Sequence, residues 1–282
     1  MKLGYCTWGM PTVPVDTFIP FLAQLGYDGI ELTVIPGYTT ALSSLDAAER
    51  QRIARLLNDY HLALPAIAGH TTMIERDPDT AALHWARLTA AVDLAIDWAQ
   101  DGQPPAVDTT VGGTPEQWDE LKPLMIERVG ALVRYGEQRG VVIAIEPHVS
   151  EMLDTPARAL ELLEEIRSPN LKLNFDISHF NVMGIPITES VAALAAHTVH
   201  THVKDERGIA PNHQFLIPGE GEFDYVEYLR EMRAHGYTGF ITAEISNMVW
   251  LRRPNHDPLA AAEQTYRTLA RAFEQAGIGD RG

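Results

Sequence analysis

Two rhythms of hydrophobic and polar positions alternate along the chain. Short apolar runs rich in Val, Ile, Leu and Phe, bounded by polar or Gly/Pro segments, read as buried parallel strands. Between them lie longer stretches with apolar residues three and four apart, the pattern of amphipathic helices. A first strand over 2–7 leads to a helix over 15–25. GYDGIELTV (26–34) is the second strand, and the helix after it has Leu45, Ile53, Leu56 and Leu57 on its apolar face. LALPAIAGH (62–70) is the third strand. The next helix starts behind Asp77-Pro78, where proline suits the first helical position. It runs to about residue 100 with Leu83, Leu88, Val92 and Ile96 as its stripe. A fourth strand within 104–113 is needed to cross over to the clear helix over 115–139. Strands over 141–146, 171–176, 198–203 and 239–245 then alternate with helices over 156–167, 188–196, from near Asp224, and over 258–276.

This makes eight strand–helix units with no Gly/Ser-rich or Pro-rich linker between them, so one domain is expected over 1–282. The fold class expected is α/β, a closed (β/α)8 TIM barrel, whose usual size is about 250 residues. A doubly wound open sheet is the alternative, and no G-x-G-x-x-G follows the first strand to support it. Apolar residues make up 45% of the chain and charged residues 21%, enough to bury a large core.

Net charge is −16 and no Lys/Arg block interrupts it. The electrostatic term that drives binding to nucleic acid or to anionic membranes is therefore missing, and a neutral or metal-bridged small ligand fits better. Cys6 is the only cysteine, which rules out an internal disulfide and suits a reducing compartment. The N-terminus opens into a strand with no long apolar leader, and no stretch approaches 18 apolar residues, so a cytoplasmic location is expected.

Four of the late strands end in metal-preferring side chains: Glu146 in VVIAIEPH, Asp176 and His179 in LKLNFDISH, His202 in TVHTHVKD, and Glu244 in GFITAEIS. In a parallel barrel the carboxyl ends of successive strands meet on one rim. Rim salt bridges account for either glutamate alone, and helix capping with an exposed histidine accounts for the D-x-x-H segment; all four positions together point to one cation site. Its donor set is hard, rich in oxygen, and has one imidazole and no thiolate. That favours one divalent ion, Mn2+ first and Mg2+ or Co2+ next, over a structural Zn2+ site. His200 points the same way as His202 one layer deeper, as a satisfied core histidine or as a substrate contact.

The motifs E-P-H, N-F-D-x-S-H, H-T-H-V-K-D, P-G-E-G-E-F-D-Y and F-x-x-x-E-I, with the early G-Y-D-G-I-E-L and G-H-T, resemble the sugar phosphate isomerase/epimerase superfamily, the xylose isomerase-like TIM barrels, over nearly the whole chain. The resemblance implies that Glu146, Asp176, His202 and Glu244 hold the catalytic metal and that His179 contacts substrate. It implies a small carbohydrate substrate, no nucleic acid or membrane partner, and a homodimer or homotetramer. Zn2+ is a further option for the metal.

The chemistry expected is isomerisation or epimerisation through an enediolate, with Glu146 and Glu244 removing and returning the proton. Loss of a β-hydroxyl from the same intermediate gives the lyase alternative. Trp8 is a candidate to stack on a sugar face, or is a rim aromatic. Glu31, His70 and His148 line the pocket or brace neighbouring loops. Lys204, Asp205 and Arg207 follow His202 in a loop and are either solvated or functional, with Arg207 a candidate substrate contact. Arg252 and Arg253 follow the last strand, where barrels often bind phosphate. Trp250 anchors a segment that packs on another subunit or covers the pocket. A three-zinc endonuclease site would need a histidine where Thr109 and Thr110 stand. A non-catalytic sugar-binding barrel would not need all four ligand positions.

Overall fold

The structure, a computed structural model, describes residues 1–279. Its order is β1 (Lys2–Cys6), α1 (Val15–Leu25), β2 (Gly29–Thr33), α2 (Ala47–Asp59), β3 (Ala66–Ala68), α3 (Pro78–Asp97), β4 (Ala106–Thr109), α4 (Trp118–Glu137), β5 (Ile143–Ile145), α5 (Pro156–Ile166) and β6 (Leu171–Asp176). Then follow α6 (Ile177–Asn181), α7 (Ile187–Leu194), β7 (Thr198–Val203), β8 (Asp205–Arg207), β9 (Gln214–Leu216), α8 (Tyr225–Ala234), β10 (Phe240–Ala243), α9 (Asn247–Trp250) and α10 (Pro258–Gln275). Eight strands close in the order β1-β10-β7-β6-β5-β4-β3-β2, all pairs parallel, while β8 and β9 form a separate antiparallel hairpin. The expected barrel is therefore present, with its main core between the sheet and the helix ring. Among the described residues no helix is long and apolar enough to cross a membrane.

Local chemistry explains where the elements begin and where expectation and structure part. Asp77 caps α3 by accepting from Thr80 N at 2.9 Å, and Pro78 occupies the first turn. The α3 stripe differs from the expected one. Leu88 and Val92 are buried, but Leu83 and Ile96 are exposed, because Ala91 and Ala95 take the face against the sheet. Strands β3 and β4 are shorter than expected, since Pro65 has no N–H to extend β3 and Gly112-Gly113, both with positive φ, turn the chain after β4.

The P-G-E-G-E-F segment wraps around Asp205, which is 2% exposed. Its carboxylate accepts backbone N–H groups of Glu206 (3.0 Å), Gly219 (2.8 Å), Gly221 (2.9 Å) and Phe223 (3.1 Å). A side chain at Gly221 would run into that carboxylate, its Cβ only 2.2 Å from Oδ1, which explains the glycine. Hydrogen bonds to a buried charge are worth more than neutral ones. Asp205→Ala is expected to cost about 2–4 kcal/mol and to loosen the β8–β9 hairpin. An unchanged urea midpoint would show that the loop holds without it.

Candidate active site and metal centre

Parallel register brings the late strands' last residues side by side. Asp176 pairs with His202, which in turn pairs with Thr242, two residues before Glu244. One donor atom each from Glu146, Asp176, His202 and Glu244 lie within 4.8 Å of one another, and all four residues are buried. Asp176 does two jobs with its two oxygens. Oδ1 caps α6 by accepting from Ser178 N at 2.9 Å, while Oδ2 meets the Lys204 ammonium and lies 3.2 Å from His179 Nε2. Capping and cation binding are thus compatible at this position. His179, carried by α6, is only 1% exposed, so the exposed-histidine alternative does not hold.

His202 sits at the centre of the charges. Its Nε2 lies 2.6 Å from Glu31 Oε2, an acceptor that requires a proton on Nε2. Its Nδ1 faces the rim, 3.4 Å from Glu146 Oε1 and 3.3 Å from Glu244 Oε2. Glu31 also accepts from His200 Nε2 at 2.9 Å. His200 is thereby a buried brace below the pocket, and Glu31 braces histidines rather than loops. Burial pushes the His202 imidazole down, but Glu31, Glu146 and Glu244 outweigh it and hold the ring well above the usual histidine range.

A second group of donors, Glu31, Asp108, His200 and His202, also lies close together. In it Glu31 Oε2 already accepts from His202 and His200 at 2.6 and 2.9 Å, while neither Asp108 oxygen has a hydrogen-bond partner among the described residues; through Glu31 it supports the first group.

The two glutamates differ. Glu146 Oε2 bonds His70 Nε2 at 2.6 Å and Oε1 faces His202 and His179, so both oxygens have imidazole neighbours. Glu244 takes Lys204 and His202 on Oε2, and among the described residues no hydrogen bond falls on Oε1. Burial raises both carboxyls; Lys204 and His202 outweigh it and hold Glu244 at about 2, and His202, His179 and His70 hold Glu146 well below the carboxylate range. Lys204 is one of the loop residues that the sequence leaves as either solvated or functional. It is 3% exposed and its ammonium bridges Asp176 and Glu244, so the cluster already gathers a cation. The donor set fits a divalent ion by the same chemistry: buried carboxylates that demand positive charge, and an imidazole whose Nδ1 is aimed among them.

A rim cavity of about 300 Å³ opens over this cluster. Glu146, Glu244, His179, His70, His148 and Trp8 all line it, with Lys204, Glu151, Phe215 and Met248. Trp8 packs against His70 at 5.1 Å between ring centroids, and His148 against His179 at 3.7 Å. Arg207 is not part of it: the β8–β9 hairpin carries it outward, exposed, to Glu222 at 3.4 Å. Arg253 pairs with Glu220, and Trp250 lies outside the lining although its neighbours Asn247 and Met248 belong to it. A larger open groove of about 520 Å³ between the segment after β9 and α10 has no comparable convergence of buried donors.

Burial, followed by His148, pushes His179 down to about 4. A lowered histidine binds its proton later in the folded chain than in the unfolded one, so its stabilising effect is full above the unfolded value near 6.5 and is lost as pH falls toward 4. In proton NMR of the metal-free protein, the His179 ring is expected to stay neutral at pH 5.5. A midpoint near 6.5 would mean that the ring is solvated.

The model of the xylose isomerase-like TIM barrel family matches residues 19–274. The chain belongs to that family. It is 26% identical over 257 residues to fructoselysine 3-epimerase of Shigella flexneri, covering 88% of this chain and 91% of that protein. It is 23% identical to 3-dehydroshikimate dehydratase of Bacillus anthracis, over 83% and 87%. An uncharacterized protein of Methanocaldococcus jannaschii is 30% identical over 146 residues, 49% of each chain, so the match spans about half of that relative. Among solved structures, the IOLI protein with a bound zinc atom superposes with a TM-score of 0.77 at 20% identity, over 98% of both chains, a likeness of fold.

Proposed function

We propose that this family member is a divalent-metal-dependent isomerase or epimerase that moves a proton next to the carbonyl of a keto sugar. The observation that carries the proposal is the convergence of Glu146 and Glu244 on His202 Nδ1, at 3.4 and 3.3 Å, inside a pocket of monosaccharide size. Glu146, Asp176, His202 and Glu244 would hold the metal, with His202 using Nδ1. When bound, a divalent ion supplies Lewis-acid polarisation of a carbonyl and its neighbouring hydroxyl. Mn2+ suits the oxygen-rich donor set, and the zinc of a solved relative makes Zn2+ the first ion to compare with it.

The remaining work falls to the chain's own groups. Glu244 Oε1, free of hydrogen bonds, takes the proton from carbon on its side, leaving an enediolate. Glu146, backed by His70, serves the opposite side. Return of the proton to the same carbon on the other face gives the epimer; return to the neighbouring carbon gives the isomer. His179, neutral and packed against His148, orients a substrate hydroxyl, and Trp8 covers the sugar's apolar face. The epimerase among the relatives supports this reading.

A lyase is the second reading, favoured by the dehydratase relative and by Lys204, whose ammonium beside Glu244 could protonate a departing hydroxyl. The deciding experiment is deuterium exchange by NMR on the Mn2+-loaded protein in D2O, with free ketoses, ketose phosphates, inososes and 3-keto-glycosides. Label entering next to a carbonyl with an epimer or isomer accumulating supports the main reading. Loss of water or of an aglycone supports the lyase, and no exchange by any compound refutes both.

A further inference from the structure

We propose that the substrate of this pocket is an unphosphorylated keto sugar, the site having no place for a phosphate group. The inference rests on the proton-transfer reading above and names its substrate class. Charge balance is the first argument. Among the described residues Lys204 is the one Lys or Arg along the lining, and it is buried against Asp176 and Glu244. Its ammonium and one divalent ion balance the three carboxylates of Glu146, Asp176 and Glu244. Glu151 adds a further carboxylate to the wall, fixed by Gly112 N at 2.7 Å. A phosphate monoester brings about −1.5 to −2 charges at neutral pH, and here it would be desolvated against like charge with no free Lys or Arg along the lining to pair with it.

The places where barrels bind phosphate are spent on other contacts. These are the loops after the seventh and eighth barrel strands and the start of a short extra helix. In this chain they are the β8–β9 hairpin and the segment around α9. At the start of α9 the Met248 N–H goes to Ser246 Oγ at 3.2 Å and the Val249 N–H to Ser246 O at 2.9 Å. Arg207 turns out to Glu222. Arg253 is held by both oxygens of Glu220, at 3.0 and 2.6 Å. Arg252 is exposed and outside the lining. What the wall does offer is suited to a neutral polyol: the Trp8 and Phe215 rings for C–H faces, and Thr71, Thr72 and Thr110 for hydroxyls.

The test gives the Mn2+-loaded protein matched pairs, each a neutral keto sugar and its phosphate ester, alongside inososes and 3-keto-glycosides, and reads deuterium uptake from D2O. Exchange is expected with a neutral compound, with any corresponding ester at least about tenfold lower in kcat/KM. An ester exchanging as fast as its neutral partner, or faster, overturns the proposal while leaving the proton-transfer reading intact. If Arg252→Ala then abolishes that ester's advantage, Arg252 is the phosphate contact and the proposal falls. No exchange with any compound removes the proton-transfer reading and this inference with it.

Discussion

Glu244→Gln is expected to lower proton abstraction by about 10²–10⁴-fold, the usual range for loss of a positioned general base, at saturating metal and with bound metal verified. The reason is local. Glu244 keeps Oε1 free of hydrogen bonds, while burial is overridden by Lys204 and His202 to hold the carboxyl at about 2, so it is ionised throughout the working pH range. Glu146→Gln is expected to act differently, because both oxygens of Glu146 already face imidazoles and His70 remains beside the vacated charge. If each carboxylate serves one face, Glu244→Gln stops deuterium uptake by one epimer but leaves uptake by the other, and Glu146→Gln gives the mirror result. Equal loss of exchange from both epimers in either variant would mean that one carboxylate does all the proton transfer. Exchange unaffected by both substitutions would remove the pair from the chemistry.

The barrel and the four-residue cluster were legible in the sequence for one physical reason: parallel strands buried on both faces write themselves as apolar runs, and a charged residue ending such a run has to be paired. Glu146 after Ile145 and Glu244 after Ala243 are both of that kind. What was hidden depends on contacts rather than on periodicity. Lys204 and Asp205 follow His202 in a segment that reads as a polar loop, yet one completes the charge cluster and the other organises the turn. The P-G-E-G-E-F motif downstream was the available signal for Asp205, since glycines that let backbone N–H groups converge imply an anion at their centre. The hairpin of β8 and β9 and the one-turn helices α6 and α9 are too short to show a period. That is why Arg207 was expected at the pocket and Arg253's pairing with Glu220 was not foreseen. The buried brace from Glu31 to His200 and His202 joins residues 169 and 171 positions apart, which no local pattern encodes.

That brace sets the second large expected effect. A divalent ion at about 1,000 times its Kd stabilises a protein by about 4 kcal/mol, so saturating Mn2+ should raise Tm by roughly 8 °C or more over the chelator-treated protein. Glu31→Gln should weaken metal binding by about 10–100-fold, the range seen when a ligand's supporting carboxylate is removed. The mechanism is tautomeric. Glu31 Oε2, at 2.6 Å, requires the proton on His202 Nε2 and so leaves Nδ1, aimed at Glu146 and Glu244, as the nitrogen that would give up its proton to a metal. Glutamine carries no charge to hold that proton, and its NH2 group competes as a donor with His200. Calorimetric titration of the metal measures the affinity, and nitrogen NMR of the histidine rings shows which nitrogen carries the proton, neither depending on turnover. Wild-type affinity in Glu31→Gln with the Nε2–H tautomer retained would show that the surrounding carboxylates alone orient His202. Lost affinity with a scrambled tautomer would make Glu31, two strands away from any expected ligand, the residue that prepares the imidazole for metal.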